Sequence, residues 1–199
     1  MEKKQDPDIV LTLSQQQALE RLKQFVDGKE ARAFILTGYA GTGKTTLMKA
    51  LIGWMTGQNK DFELLASMGR AAKILSNKTN CPASTVHSCI YKFKDFNQDI
   101  EHVVNQIDQS GGEDKTGQLL LQFTALSADN DDYDSKIYIV DEASMVSDIA
   151  QHYPSQAIFG SGKLLTDLIA YDTKGRYIFV GDACQRAATH LRRLLHRMK

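Results

Sequence analysis

The chain has 199 residues, 42% of them hydrophobic, enough to bury one α/β core or one core with a small appendage. Its 24 basic and 24 acidic residues cancel, so no global field draws it to a polyanion, and any such contact rests on a local patch. Cys81, Cys89 and Cys184 lack C-x-x-C spacing, which argues against a zinc site or disulfide framework; the charged start and the lack of any apolar run of membrane-spanning length point to a cytoplasmic protein without a membrane partner.

In chain order, Leu11-Thr12-Leu13-Ser14 holds an N-cap candidate, and apolar residues at 18, 19, 22, 25 and 26 follow at helical spacing. Residues 33–37 read as a short buried strand, 46–52 as a helix opening, 63–66 as a strand, 71–75 as a helix and 85–91 as another helix. From about 95 to 134 the pattern loosens, with a turn at 110–114, a strand within 118–126 and an acidic turn at 129–132, so this stretch reads as an insertion. Strands at 136–140 and 176–180 close the pattern. The alternation predicts an α/β fold, a mostly parallel sheet flanked by helices, in one domain over 1–199.

Three segments carry chemistry. Gly38-Tyr39-Ala40-Gly41-Thr42-Gly43-Lys44-Thr45 is a full G-x-x-x-x-G-K-[ST] loop set between a strand and a helix. Glycines at 38, 41 and 43 let backbone N–H groups approach phosphates, the helix start at Lys44, Thr45 and Thr46 adds its dipole, Lys44 reaches the β/γ-phosphates, and the Thr45 hydroxyl can ligand Mg²⁺. The strand at 136–140 ends in Asp141-Glu142, where one carboxylate can hold Mg²⁺ and the next can polarise water, which favours hydrolysis over transfer to an acceptor. The strand at 176–180 runs into Gly181-Asp182-Ala183-Cys184-Gln185, whose amide stands where a γ-phosphate could be sensed. ATP and Mg²⁺ are the ligands this set predicts.

The ordered motifs resemble the first motor domain of superfamily 1 DNA helicases, in particular the RecD-like group with the Dda and Pif-type enzymes. The likeness runs from about 11 to 185 and implies an α/β fold of the P-loop, RecA-like kind. Leu11-Thr12-x-x-Gln15-x-x-Ala18 is similar to the Q motif, Gly38 to Thr45 to motif I, and Ala66-Ser67-Met68-Gly69-Arg70-Ala71-Ala72-Lys73 to motif Ia, with Ser and Met in place of Pro and Thr. Thr85-Val86-His87-Ser88 resembles the T-[IV]-H-S segment, Asp141 to Met145 motif II, and Val180-Gly181-Asp182-x-x-Gln185 motif III. The resemblance implies that Gln15 contacts adenine alongside Gly38, Gly41, Thr42, Gly43, Lys44, Thr45 and Thr46. It gives Lys44, Glu142 and Gln185 catalytic roles, sets Thr45 and Asp141 on the metal, and lines a track for single-stranded DNA with Gly69, Arg70, Lys73, Thr85, His87 and Ser88. Charge, polar contact or stacking from Arg70, Lys73 and His87 suits that track.

The family continues past motif III with a second motor domain, whereas this chain carries a basic stretch over 186–199 and stops. It therefore reads as a helicase fragment that depends on a second domain in cis for unwinding, translocating 5′ to 3′ in the intact protein, with roles in DNA repair and recombination implied by the same resemblance. Two other readings stay open on residues alone: a P-loop phosphotransferase, and a non-enzymatic nucleic-acid-binding adaptor with a vestigial nucleotide site.

Overall fold

The computed structural model describes residues 10–93, 121–128, 136–146, 148 and 157–182. Gln185, the basic stretch after it, the turns at 110–114 and 129–132 and most of the expected insertion lie outside the described residues. The elements are α1 (Leu13–Asp27), β1 (Ala33–Thr37), α2 (Lys44–Gly57), β2 (Phe62–Ala66), α3 (Gly69–Thr79), β3 (Ala83–Thr85), α4 (Val86–Ile90), β4 (Tyr91–Phe93), β5 (Leu121–Ala125), β6 (Ile137–Asp141), a 3₁₀ turn at Ala143–Met145, β7 (Ala157–Phe159), α5 (Leu164–Tyr171) and β8 (Arg176–Gly181). They fall into two compact units, one of Met1–Val86, Asn130–Val146 and Lys174–Lys199, the other of His87–Asp129 and Ser147–Thr173.

The first unit is built on a five-stranded sheet in the order β1-β8-β6-β2-β3, parallel throughout. Parallel strands need crossover connections, which α2 supplies from β1 to β2 and α3 from β2 to β3, and helices so placed cover the sheet, which explains why the central strands read as continuous apolar runs rather than alternating ones. Ile137 to Val140 of β6 and Tyr177 to Val180 of β8 are all buried. Period-two alternation then sorts them. Ile137, Ile139, Ile178 and Val180 pack with Leu22, Phe25 and Val26 of α1 and Leu47, Met48, Leu51, Ile52 and Met55 of α2. Tyr138, Tyr177 and Phe179 form a stacked aromatic row on the other face, with ring centroids 5.2 and 5.9 Å apart. Each such buried side chain contributes about 1.5–3 kcal/mol, so this double-sided packing fixes the central strands firmly.

Register brings the strand ends level. Leu36 lies opposite Val180 and Thr37 opposite Gly181; Val140 pairs with Phe179; Ala66 pairs with both Asp141 and Thr85. One row therefore crosses all five strands at their carboxyl ends.

In the second unit β4 pairs antiparallel with β5, and β5 parallel with β7. Phe123 stacks on Phe159 at 4.4 Å, and Phe93 meets Phe123 edge-on at 5.4 Å. Beside them Asp167, near the start of α5, accepts hydrogen bonds from the Tyr91 hydroxyl (2.6 Å), the Ser161 N–H (2.9 Å) and the Ser161 hydroxyl (2.6 Å).

The sequence predicts one helix over 85–91, and here the structure differs. Ala83–Thr85 is instead strand β3, held by its ladder to β2, and only Val86–Ile90 is helical before the chain extends again as β4. A ladder with a neighbouring strand overrides local preference over so short a stretch. The strand expected within 118–126 is β5.

Candidate functional site

The loop from Gly38 to Thr45 springs from the end of β1 and feeds α2, and its first N–H, that of Gly38, donates to the carbonyl of Gly181 on β8 at 3.3 Å. Gly41 and Gly43 have φ of 79° and 80°, the left-handed region in which a side chain is strained. Gly38 answers to space instead, since a Cβ there would stand 2.8 Å from the Thr42 hydroxyl. Thr42 closes the turn by donating from its hydroxyl to the carbonyl of Tyr39 at 2.8 Å. Gly43 occupies the N-cap of α2 without a capping side chain, so the N–H groups of Lys44, Thr45 and Thr46 open the helix with no partner inside it. Half-buried Lys44 folds over this concavity, its ammonium donating to the carbonyls of Gly38 (2.6 Å) and Tyr39 (2.9 Å).

Asp141 ends β6 in the row of strand ends, and burial is the main cause that raises its carboxyl above the usual range. The charge of Glu142 adds to the rise, while the Glu142 backbone hydrogen bond and the Lys44 and Lys78 ammoniums oppose it. Such a desolvated carboxylate gains from a cation beside it. Among the described residues no group of three or more His, Cys, Asp and Glu could hold a metal alone, so a cation at Asp141 would draw its other oxygens from a hydroxyl such as that of Thr45, from water and from a ligand's phosphates. These donors and this carboxylate suit a nucleoside triphosphate with Mg²⁺.

Glu142 is exposed and left-handed, with φ of 51°, a conformation costing about 1–2 kcal/mol for a residue with a Cβ. It turns the chain into the Ala143–Met145 segment, whose amides run close against Gly181. A crevice follows between Thr37, Ser144, Gly181 and Asp182, and the buried Ser144 hydroxyl there has no hydrogen-bond partner among the described residues.

Of the residues implied for a DNA track, Gly69 opens α3, while Arg70 and Lys73 are exposed and share one face at i, i+3 spacing. Thr85 ends β3 opposite Ala66, so these four belong to the first unit. His87 and Ser88 belong to the second. Ser88 is exposed, whereas His87 packs edge-on to Phe159 at 5.2 Å and against Tyr91 at 5.7 Å. Burial lowers the His87 pKa from 6.5, leaving an uncharged ring at neutral pH. Gln185 lies outside the described residues.

Sequence reasoning did not find the place of Gln15. Its amide Nε2 donates to the carbonyl of Thr42 at 3.1 Å, while its Oε1 accepts from the Thr12 N–H at 2.9 Å as half of a capping box on α1. The T-x-x-Q spacing carries the capping box; nothing local in the sequence carries the bond to a residue 27 positions on.

A family model described as an AAA domain matches residues 10–198. The chain is 33% identical over 160 residues to an uncharacterized protein of Methanocaldococcus jannaschii, covering 77% of this chain and 11% of that one. It is 38% identical over 85 residues to a replication factor C small subunit of Sulfolobus acidocaldarius, covering 41% of this chain and 26% of that protein. In both cases it spans a minor part of the relative's length. Among the described residues no helix is long and apolar enough to cross a membrane.

Proposed function

The chain belongs to the AAA domain family and is a nucleotide-binding P-loop NTPase, and from that premise we propose that it is the ATP-binding motor domain of a DNA helicase of the RecD-like group of superfamily 1. On this reading the chain is one motor domain with an insertion at about 95–134. Lys44 binds the phosphates, Thr45 and Asp141 hold Mg²⁺, Glu142 polarises the attacking water, and Gln185 senses the γ-phosphate. Gly69, Arg70, Lys73, Thr85, His87 and Ser88 serve single-stranded DNA, and a second motor domain completes the ATP site.

The observation that carries this reading is the row of strand ends. The loop after β1, Asp141 on β6 and Gly181-Asp182 on β8 share an edge with the start of the Arg70 helix and with Thr85 at the end of β3, on one sheet. A motor needs its nucleotide and its track on elements that move together, and neighbouring parallel strands meet that need. The similarity of part of the chain to a replication factor subunit fits a DNA-linked ATPase.

Binding of a labelled oligothymidylate, measured by anisotropy over a range of salt, tests the proposal. Arg70→Ala and Lys73→Ala should each weaken it and flatten the salt dependence by about 0.7 in log–log slope for each lost phosphate contact. Affinity for Mg²⁺–ATP should hold in both variants, and Lys44→Ala should show the opposite pattern, losing ATP by about tenfold or more. A chain that binds ATP yet takes up no oligonucleotide at low salt would refute the motor reading while leaving the NTPase standing.

A further inference from the structure

We infer that Ser144 is a positioning residue for the phosphate end of the site: as a Mg²⁺-bound nucleoside triphosphate draws the Glu142 turn inward, the Ser144 hydroxyl takes the Asp182 carboxylate as its acceptor and locks the turn to the loop after β8. The inference rests on the proposed nucleotide site and deepens it by naming what holds its water-polarising turn in place. The turn as it stands carries two costs. Glu142 is left-handed at φ 51°, a conformation strained for a residue with a Cβ, and the buried Ser144 hydroxyl has no hydrogen-bond partner among the described residues. Neither serves the core. Ala143 and Val146 are the buried side chains of the turn, and its backbone is held by the Met145 N–H on the Glu142 carbonyl (3.0 Å) and the Val146 N–H on the Ala143 carbonyl (3.1 Å). Glycine at 142 and alanine at 144 would remove both costs and keep that packing. Such costs persist where a second arrangement offsets them.

The crevice beside the turn supplies the acceptor. The strand order β1-β8-β6 sets the turn after β6 next to the end of β8, and the two lie close, since a Cβ on Gly181 would stand 3.4 Å from the Ser144 nitrogen. Thr37, Ser144 and Asp182 are the polar side chains lining the crevice. Asp182 is the stronger acceptor, because a hydroxyl donating to a carboxylate makes a charge-assisted bond, and a carboxylate has room for several donors beside any it already holds. A shift of the turn with a change of the Ser144 rotamer brings the hydroxyl to it. The crevice also adjoins the place of the phosphates. Thr37 precedes Gly38, whose N–H donates to the Gly181 carbonyl and whose own carbonyl accepts from the Lys44 ammonium at 2.6 Å. Ser144 follows Asp141 and Glu142 directly along the turn, so a metal and a terminal phosphate that draw those carboxylates inward move Ser144 with them. The new bond then ties the end of β6 to the end of β8.

The test is equilibrium binding of a non-hydrolysable ATP analogue and of ADP, each with Mg²⁺, to the chain, to Ser144→Ala, to Asp182→Ala and to the double variant, beside urea denaturation without nucleotide. Ser144→Ala should leave the urea midpoint unchanged or raise it, since it removes a hydroxyl without a partner, yet weaken the triphosphate analogue by about tenfold, the order for a hydrogen bond to a charged group. ADP lacks the terminal phosphate and should lose less than about twofold. Asp182→Ala should weaken the analogue by a similar factor, and the double variant should match the larger single loss within about twofold, because both changes break one bond. If urea curves show Asp182→Ala to be unfolded, Asp182→Asn, which keeps an acceptor without its charge, should give a smaller loss that disappears in the Ser144→Ala background. Unchanged analogue affinity in Ser144→Ala, or losses that multiply in the double variant, would overturn the inference. So would a lower urea midpoint in Ser144→Ala, which would mean that the hydroxyl is paired before any nucleotide arrives. An unaltered chain that binds neither nucleotide would overturn the nucleotide site itself, and the lock with it.

Discussion

His87 shows how burial decides what a single side chain has to offer. Its ring packs against Tyr91 and Phe159, and the cost of taking a charge into that setting depresses its pKa below 6.5. A neutral imidazole can stack or hydrogen-bond, but it brings no counter-charge to a phosphate at neutral pH. The sign of the linked stability effect follows. Between the depressed folded value and 6.5 the unfolded chain binds protons that the folded one refuses, so stability is intact above this window and falls as the pH drops through it. Thermal midpoints at pH 7.5 and 5.5 should therefore drop more in the unaltered chain than in His87→Leu. Equal drops would mean that the ring is already protonated in the fold, or that the unfolded chain gains nothing by taking the proton.

At the scale of elements, the end of α1 depends on a residue 150 positions away. Arg176, the first residue of β8, is 6% exposed and spends its guanidinium on carbonyls: Nη1 donates to Val26 at 3.1 Å, Nε to Ala31 at 3.1 Å and Nη2 to Phe25. The guanidinium also lies over the Phe25 ring, 4.3 Å from its centroid. The last carbonyls of a helix lack intrahelical partners and carry its negative pole, so a buried cation there satisfies both needs. Arg176→Met keeps the aliphatic contact but strands the buried Phe25 and Val26 carbonyls, and should cost about 2–3 kcal/mol in urea denaturation, the upper part of the range for unsatisfied buried groups. A loss under about 0.5 kcal/mol would mean that water reaches those carbonyls unaided. The same example shows what a sequence conceals. The phosphate loop, β1, β2, β6 and β8 are legible because each signal is contiguous: glycines at fixed offsets, apolar runs bounded by turns. α5 is not legible, because its opening carries no cap of its own. Thr166 instead donates from its N–H (2.8 Å) and its hydroxyl (2.7 Å) to Asp148, 18 residues earlier. β3 and β4, three residues each, exist only through their ladders, and no local window contains the partner strand.

At the scale of the whole molecule, the proposed function makes a thermodynamic demand that no single residue meets. If ATP at the ends of β1, β6 and β8 and a DNA strand at the ends of β2 and β3 bias one two-state element, each must change the other's affinity by the same factor. The sheet supplies the physical path, since Ala66 of β2 lies directly between Asp141 of β6 and Thr85 of β3. Hydrolysis would blur the measurement, so it belongs in Glu142→Gln, where an amide keeps the side chain's shape and removes the proposed base. In that variant ATP should bind and persist, with turnover reduced by at least about a hundredfold. Oligothymidylate affinity with and without ATP, and ATP affinity with and without oligothymidylate, then close a cycle. The two ratios should agree and exceed about fivefold, the lower end of usual coupling between sites. Agreement at a ratio of one would show two independent sites on one sheet, an NTPase that also holds DNA, and would remove the reason for reading the chain as part of a motor. Near-normal turnover in Glu142→Gln would move the water-activating role to another group, while the binding half of the cycle could still be measured with a non-hydrolysable ATP analogue.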